Sequence, residues 1–182
     1  MNRATQNLEN DHVHILQLTE VMEKMAKMPQ LDPVYLDEVA DLIRNFADGL
    51  HHAKEEELLF PLMIDKGFSN QNGPVAVMLH EHVLGRNFVK TMSEGSQELK
   101  NGNLDADQDV REALIGYATL LQAHIGKENN ILFRLADNLM SMPEEDQLHE
   151  QFMHLDSGRD SGSSSDIYVQ RVQHLVNLFL TK

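Results

Sequence analysis

The sequence HHAKEEELLF at residues 51–60 places two histidines and three glutamates directly before an apolar run. In a helix, His and Glu four residues apart lie on one face, one turn from each other. His51 and Glu55 continue a row of apolar residues, whereas His52 and Glu56 continue a polar row. We therefore predict that His51 and Glu55 face the interior and that the other two lie at the rim, unless a π-bulge rotates the pair by one residue.

A second copy of this pattern lies at residues 124–135. HIGKENNILFRL shares the form H-x-x-K-E-x-x-x-L-F-x-L with residues 51–62, and an acid–His pair precedes each copy, Asp11-His12 and Glu81-His82. Each half of the chain therefore has an acid–His pair on its first helix and H-x-x-x-E on its second. Metal sites in helical bundles are often built in this two-fold way from inward side chains.

Helical periodicity dominates the chain, and the alternation typical of strands is nearly absent. We predict an all-α fold, an antiparallel up-down-up-down four-helix bundle with a C-terminal helical extension. The four long helices are expected to run from Thr5 to Met28, from Asp32 to Lys66, from Pro74 to Lys100 and from Asp105 to Met140.

Residues 1–140 are predicted to form a metal-binding bundle and residues 141–182 the extension. In the extension, a short helix begins at Ser141, SGRDSGSSS at 157–165 is a flexible linker, and a last helix runs from Asp166 to Leu180. The apolar stripe of the last helix could form a dimer surface, report the state of the bundle or fold back onto it: Tyr168, Val172, Leu175, Val176 and Phe179.

The composition excludes several classes of protein. The 182 residues suffice for one domain with a core, the net charge is −14 and there is no Cys. Disulfides, iron–sulfur clusters and thiolate zinc sites are thereby excluded, and the acidic charge argues against nucleic-acid and anionic-membrane partners. The polar N-terminus has no signal-peptide core, and no apolar run approaches the ~18 residues of a membrane span. We predict a soluble, cytoplasmic protein.

Histidines on the other helices also lie on predicted inward faces. His82 and His124 continue apolar stripes, and His12 is favoured over His14 because it matches His82 in the repeat. Buried carboxylates are costly unless compensated, and Lys54 sits one residue off the apolar stripe, so a cation is the expected compensating charge. The predicted metal ligands are His12, His51, Glu55, His82, His124 and Glu128.

Six nitrogen and oxygen donors without sulfur suit iron or manganese better than zinc, calcium or magnesium. Two ions could each take two His and share both Glu as bridges. An octahedral ion would then keep about two further positions, for a bridging oxide or hydroxide and for an exogenous small molecule.

At these residues the sequence resembles the hemerythrin-like (HHE cation-binding) domain family of di-iron type. The similar stretches are DH at 11–12, HHAKEEELLFPLM at 51–63, GPVAVMLHEHVLGR at 73–86 and HIGKENNILFRLAD at 124–137. The resemblance implies an antiparallel four-helix bundle that holds two iron ions, an oxo- or hydroxo-bridged di-iron centre, with manganese or zinc as substitutes. It implies that the terminal ligands are His12, His51, His82 and His124. It implies that the bridging carboxylates are Glu55 and Glu128.

The resemblance implies a protein that binds or reduces a small oxidant, such as O₂, peroxide or NO, in a stress response or in sensing. It is similar to bacterial di-iron proteins of iron–sulfur cluster repair, although those have an additional Cys-containing N-terminal segment. Oxygen carriers have a second His on the third helix where this sequence has Arg86, so simple O₂ transport is disfavoured. The alternatives are a non-catalytic oxygen, redox or iron sensor and an iron store or donor.

The expected partner is a small diatomic or peroxide ligand, with no nucleic acid and no membrane, and the protein itself is expected to be a monomer or homodimer. Gly85 either leaves room for that ligand or marks a close contact between helices. Tyr117 is either a hydrogen-bond donor near the centre or a core residue.

Overall fold

The computed structural model describes residues 3–157 and 164–181. Within them the chain forms six helices and no strand: α1 (Arg3–Met25), α2 (residues 33–65), α3 (Gly73–Lys100), α4 (residues 106–139), α5 (Met142–Asp156) and α6 (Ser165–Phe179). The first four form the antiparallel bundle, so the predicted fold class is confirmed. Most of the predicted Ser/Gly linker, 158–163, lies outside the described residues.

Short sequence signals set the helix ends. The side chain of Asp32 accepts a hydrogen bond from the backbone of the first turn of α2 at 2.9 Å, and Pro33 occupies that turn, where its missing N–H costs nothing. Gly67 follows α2 with a φ of +102°, a left-handed conformation that favours glycine. Glu144 accepts from the backbone N of Ser141 at 2.8 Å and so caps the start of α5.

Helices α2 and α4 leave regular α geometry in the middle of the bundle. Helix α2 is π-helical at Ile43–His52 and again at Glu55–Leu59, and α4 is π-helical at Glu128–Leu132. A π turn holds more residues than an α turn, so it rotates the side chains that follow it relative to a regular helix. These segments contain or adjoin the predicted metal ligands of both helices.

The apolar core is divided into two clusters by a polar layer. On α1, Leu8 belongs to one cluster and Ile15 to the other, and the predicted ligand of that helix lies between them. On α3, Met78 and Val89 flank the predicted ligand in the same way. Because all four helices change from one cluster to the other at the same level, their histidines and glutamates meet in one layer.

Helices α5 and α6 both pack against α1. Helix α6 buries Tyr168, Val172 and Leu175 in one core cluster, and α5 adds Leu148 and Phe152 to the other. The apolar stripe of the last helix therefore folds back onto the bundle, while the division of the chain into 1–140 and 141–182 stays a prediction. In the part of the chain that the structure describes, no helix has both the length and the apolar character needed to cross a membrane.

Candidate metal centre

The structure brings all six predicted ligands together in the polar layer of the bundle, and none of them is more than 2% exposed. The four histidines meet in two pairs. Nε2 of His12 lies 3.0 Å from Nε2 of His51, and Nε2 of His82 lies 3.1 Å from Nε2 of His124. Each pair combines one residue of the acid–His motif with one residue of the H-x-x-x-E motif.

Both glutamates reach one imidazole of each pair. An oxygen of Glu55 lies 3.9 Å from Nε2 of His51 and 3.5 Å from Nε2 of His82. The two oxygens of Glu128 lie 3.2 Å from His12 and 3.0 Å from His124, again measured to Nε2. Each carboxylate thus lies between the two histidine pairs, a position that would suit a ligand bridging two cations.

The histidine rings are oriented by oxygen acceptors on their outer nitrogens. Nδ1 of His82 donates to Glu56 at 2.6 Å, and the corresponding acceptors lie 2.8, 3.3 and 2.7 Å from Nδ1 of the other three rings. Carboxylate and amide oxygens only accept, so Nδ1 carries the proton and Nε2 presents a lone pair to the centre. The three remaining pairs are His124 with Glu81, His51 with Asp11 and His12 with Asn129.

The acid of each acid–His motif therefore serves a neighbouring helix. Asp11 on α1 holds the histidine of α2, and Glu81 on α3 holds the histidine of α4. The repeat in the sequence showed that these acids recur, but it did not show which ring each one contacts.

The layer contains donors that need a cation. All four carboxylate oxygens of Glu55 and Glu128 are buried and have no hydrogen-bond partner among the described residues. The paired Nε2 lone pairs also face each other at about 3 Å, which is repulsive for neutral rings. A metal ion satisfies both sets at once, because it accepts imidazole lone pairs and neutralises carboxylates. The residues present thus fit a metal.

The carboxyl groups of Glu55 and Glu128 have pKa values that are shifted in opposite directions. Burial raises the pKa of Glu55, and the charge of Glu128 raises it further. Burial also acts to raise the pKa of Glu128, but in a chain without a bound cation the positive charge of a protonated His124 outweighs it and holds that pKa well below its usual range. This asymmetry is the expected response of two close carboxyls that share one low-dielectric site.

His52 lies inside the layer and not at the rim, so this part of the sequence prediction is wrong. It is only 4% exposed, and its ring stacks on that of His82 at 3.8 Å between centroids. The π-helical geometry of Ile43–His52 changes the direction of the side chains at its end, so that both His51 and His52 are buried. Glu56 is partly exposed, with 27% of its side chain accessible, while His14 contacts Gln17 away from the centre.

Lys54 is also buried, although its sequence position one residue off the apolar stripe did not indicate burial. Its ammonium is fully inaccessible and contacts Asp11 at 2.9 Å, Asp156 at 2.6 Å and Asn7 at 2.8 Å. These contacts place the single positive charge of Lys54 between the carboxylates of Asp11 and Asp156. Lys54 is therefore already paired, and it does not compensate the two central glutamates.

A cavity of about 440 Å³ leads from the surface to one side of the layer. Its inner wall includes His52, His82 and Tyr117, and its outer wall includes Arg86. A Cβ on Gly85 would lie 2.8 Å from the ring of Tyr117, so Gly85 marks a close contact between α3 and α4. Burial and the charge of Asp48 raise the pKa of Tyr117, which keeps its hydroxyl protonated near neutral pH.

The bundle and its His/Glu layer define a class of helical metal-binding proteins. The family model of the hemerythrin HHE cation-binding domain matches residues 3–136. The iron–sulfur cluster repair protein DnrN of Neisseria gonorrhoeae is 30% identical over 128 residues, which are 67% of this chain and 81% of that protein. No solved structure matches the chain significantly. The chain belongs to the hemerythrin HHE cation-binding family.

Proposed function

We propose that the polar layer is a di-iron centre and that the protein uses it to bind or reduce a small oxidant such as O₂, peroxide or NO. The supporting observation is the convergence of imidazole lone pairs and unpartnered carboxylates at the inner end of a cavity. Bound iron would supply one-electron redox chemistry and coordination positions for the oxidant. The proposed ligands are His12, His51, Glu55, His82, His124 and Glu128.

The protein's own residues would orient and protect this centre. The acceptors on Nδ1 hold each ring in one tautomer with Nε2 turned inward. Phe133 stacks on His12 at 5.5 Å and Phe60 on His82 at 6.0 Å, which excludes water from that side. A small molecule could still reach the centre through the cavity beside Arg86. A guanidinium nitrogen of Arg86 lies 2.7 Å from a carboxylate oxygen of Asp48, which holds the side chain in place.

Metal analysis and turnover test this function. Protein reconstituted anaerobically with Fe²⁺ should contain about two irons per chain, as expected for two ions that share bridging carboxylates. It should then consume O₂, peroxide or NO in repeated cycles when a reductant is supplied. Uptake of one equivalent without turnover would favour a sensor, and absence of bound metal would contradict the proposal.

Iron donation during iron–sulfur cluster repair is a second candidate. The observation that favours it is the similarity to DnrN, whose name assigns it to that process. The test mixes iron-loaded protein with an apo iron–sulfur protein, sulfide and a reductant, and follows cluster absorbance. Transfer faster than from free Fe²⁺ in the presence of a chelator would support donation, whereas iron that stays bound would favour the oxidant chemistry.

A further inference from the structure

His52 has the placement of a metal ligand. One donor atom of each of His52, Glu55, His82 and His124 lies within 4.8 Å of the others, and all four residues are buried. The remaining members of the layer form a second group of this kind, made of His12, His51 and Glu128. The two sides of the centre are therefore unlike: one has three imidazoles and the other has two.

His52 also has an oxygen acceptor on Nδ1, as the four predicted histidine ligands do. Its Nδ1 lies 3.2 Å from an oxygen of Asp48, and this carboxylate accepts three further hydrogen bonds from Arg86 at 2.7, 2.9 and 3.1 Å. A carboxylate on Nδ1 fixes the proton there and leaves Nε2 free as a donor. All five buried rings of the layer thus have an oxygen acceptor on Nδ1, an arrangement that a merely space-filling histidine would not need.

The position of His52 differs from those of the other rings in one respect. It borders the cavity that leads to the surface, together with His82, whereas the pair His12 and His51 does not. A small molecule that enters through the cavity therefore meets the side of the centre to which His52 belongs.

We propose that His52 is a metal ligand, so that the centre is built from five imidazoles and the three-imidazole side faces the cavity. This inference rests on the proposed metal centre. It adds a residue that the repeat does not contain, because position 125 in the second copy is Ile125. His52 thereby distinguishes the two ions, which the six repeat-related ligands alone would make nearly equivalent.

Counting coordinated imidazoles tests the proposal in the intact protein. In the Co²⁺-loaded protein, each ligand imidazole contributes one exchangeable, paramagnetically shifted Nδ1–H resonance to the proton spectrum. We expect five such resonances in the native chain and four in His52→Ala. Four resonances in metal-loaded native protein would overturn the inference and leave the metal centre intact, whereas failure to bind metal would remove the proposed function itself.

Chemical rescue gives a second, independent readout. His52→Ala should release one of its two ions to a chelator at least about 10-fold faster than the native chain. Added imidazole should slow that release by filling the space beside the cavity. The matched controls are His80→Ala, an exposed residue that should behave as native, and His51→Ala, whose site does not border the cavity and should not be rescued. Native-like metal retention in His52→Ala would contradict the proposal.

Discussion

The two nitrogens of each buried imidazole have separate tasks. The outer nitrogen donates to an acceptor such as Glu56 or Glu81, and the inner nitrogen turns to the centre. This division explains why the carboxylates that contact the outer nitrogens, Glu56 and Glu81, lie at partly exposed positions. Their function is to fix ring orientation, whereas the fully buried carboxylates are available to a metal.

This distinction predicts different outcomes for two adjacent glutamates. Glu55→Ala removes a buried central carboxylate and should abolish binding of at least one ion. Glu56→Ala removes an acceptor of His82 and Arg86 but no central carboxylate, so it should keep the full metal content with an affinity lower by about 10-fold. Metal per chain after gel filtration, with chelator competition for affinity, measures both, and loss of metal only in Glu56→Ala would show that the central assignment is shifted by one residue.

That the six proposed ligands lie together in the interior could be predicted from the sequence, because helix geometry and the repeat indicated the same residues. Lys54 could not be placed by the same reasoning. Its burial depends on acids from α1 and α5 that converge on it only in the folded chain, and no local pattern relates residue 54 to residue 156. The burial of His52 could not be predicted either, because it depends on the π-helical geometry of α2.

At the scale of the element, the π-helical segments decide which side chains face inward. A sequence prediction assumes 3.6 residues per turn, so that His51 and His52 point about 100° apart, and the polar row of His52 then assigns it to the rim. The segment Ile43–His52 breaks the assumption just before the centre. The fold class and helix order survive such a local change, since they depend on the apolar stripes, but the list of inward polar residues does not.

Gly49 offers a direct test of the π-helical segment. A Cβ at this position would lie 2.9 Å from the carbonyl oxygen of Arg44, five residues earlier, so the backbone must shift to admit it. We expect Gly49→Ala to lower the free energy of unfolding by about 2 kcal/mol, the usual cost of overpacking, and to speed metal release. Chemical denaturation and chelator kinetics measure the two effects.

The matched control is Gly126→Ala on α4. A Cβ there meets nothing within 4 Å, so the substitution should stabilise the helix by about 0.5–1 kcal/mol. If both variants were equally stable, the π-helical segment would not be rigid enough to orient the two histidines.

At the scale of the whole molecule, a buried charge network joins the extension to the centre. Asp156, at the end of α5, contacts Lys54, which contacts Asp11, which in turn accepts from His51. Burial raises the pKa of Asp11, but the hydrogen bond from His51 and the charge of Lys54 more than compensate and keep it below its usual value. The extension is therefore connected to the ring of His51, a proposed ligand, by contiguous polar contacts.

Removing the last member of this network should destabilise the protein. Asp156→Ala removes one of the two carboxylates that contact the inaccessible ammonium of Lys54, which keeps its contact with Asp11, and we expect a loss of about 2 kcal/mol in the free energy of unfolding. Urea denaturation measures it. Glu150→Ala, an exposed residue on the same helix, is the control and should change stability by less than about 0.5 kcal/mol. Equal effects would show that the network does not hold α5 in place.

Metal removal should destabilise the chain as a whole. A ligand present at 100 times its dissociation constant adds about 2.7 kcal/mol to folding stability if it binds only the folded state. We therefore expect a lower melting temperature after dialysis against a chelator, with recovery when Fe²⁺ is added anaerobically. Glu55→Ala should respond weakly to either treatment, and a metal-independent melting temperature in the native chain would show that no ion compensates the buried carboxylates.

The uncompensated carboxylates also bear on how long each molecule persists. A chain without a bound cation keeps the buried oxygens of Glu55 and Glu128 without partners, so it would open more often and expose cleavage sites to proteases. Where iron is scarce, the half-life of the polypeptide would shorten and its steady-state abundance would fall. Supply of the metal would then set the amount of this protein without any change in its synthesis.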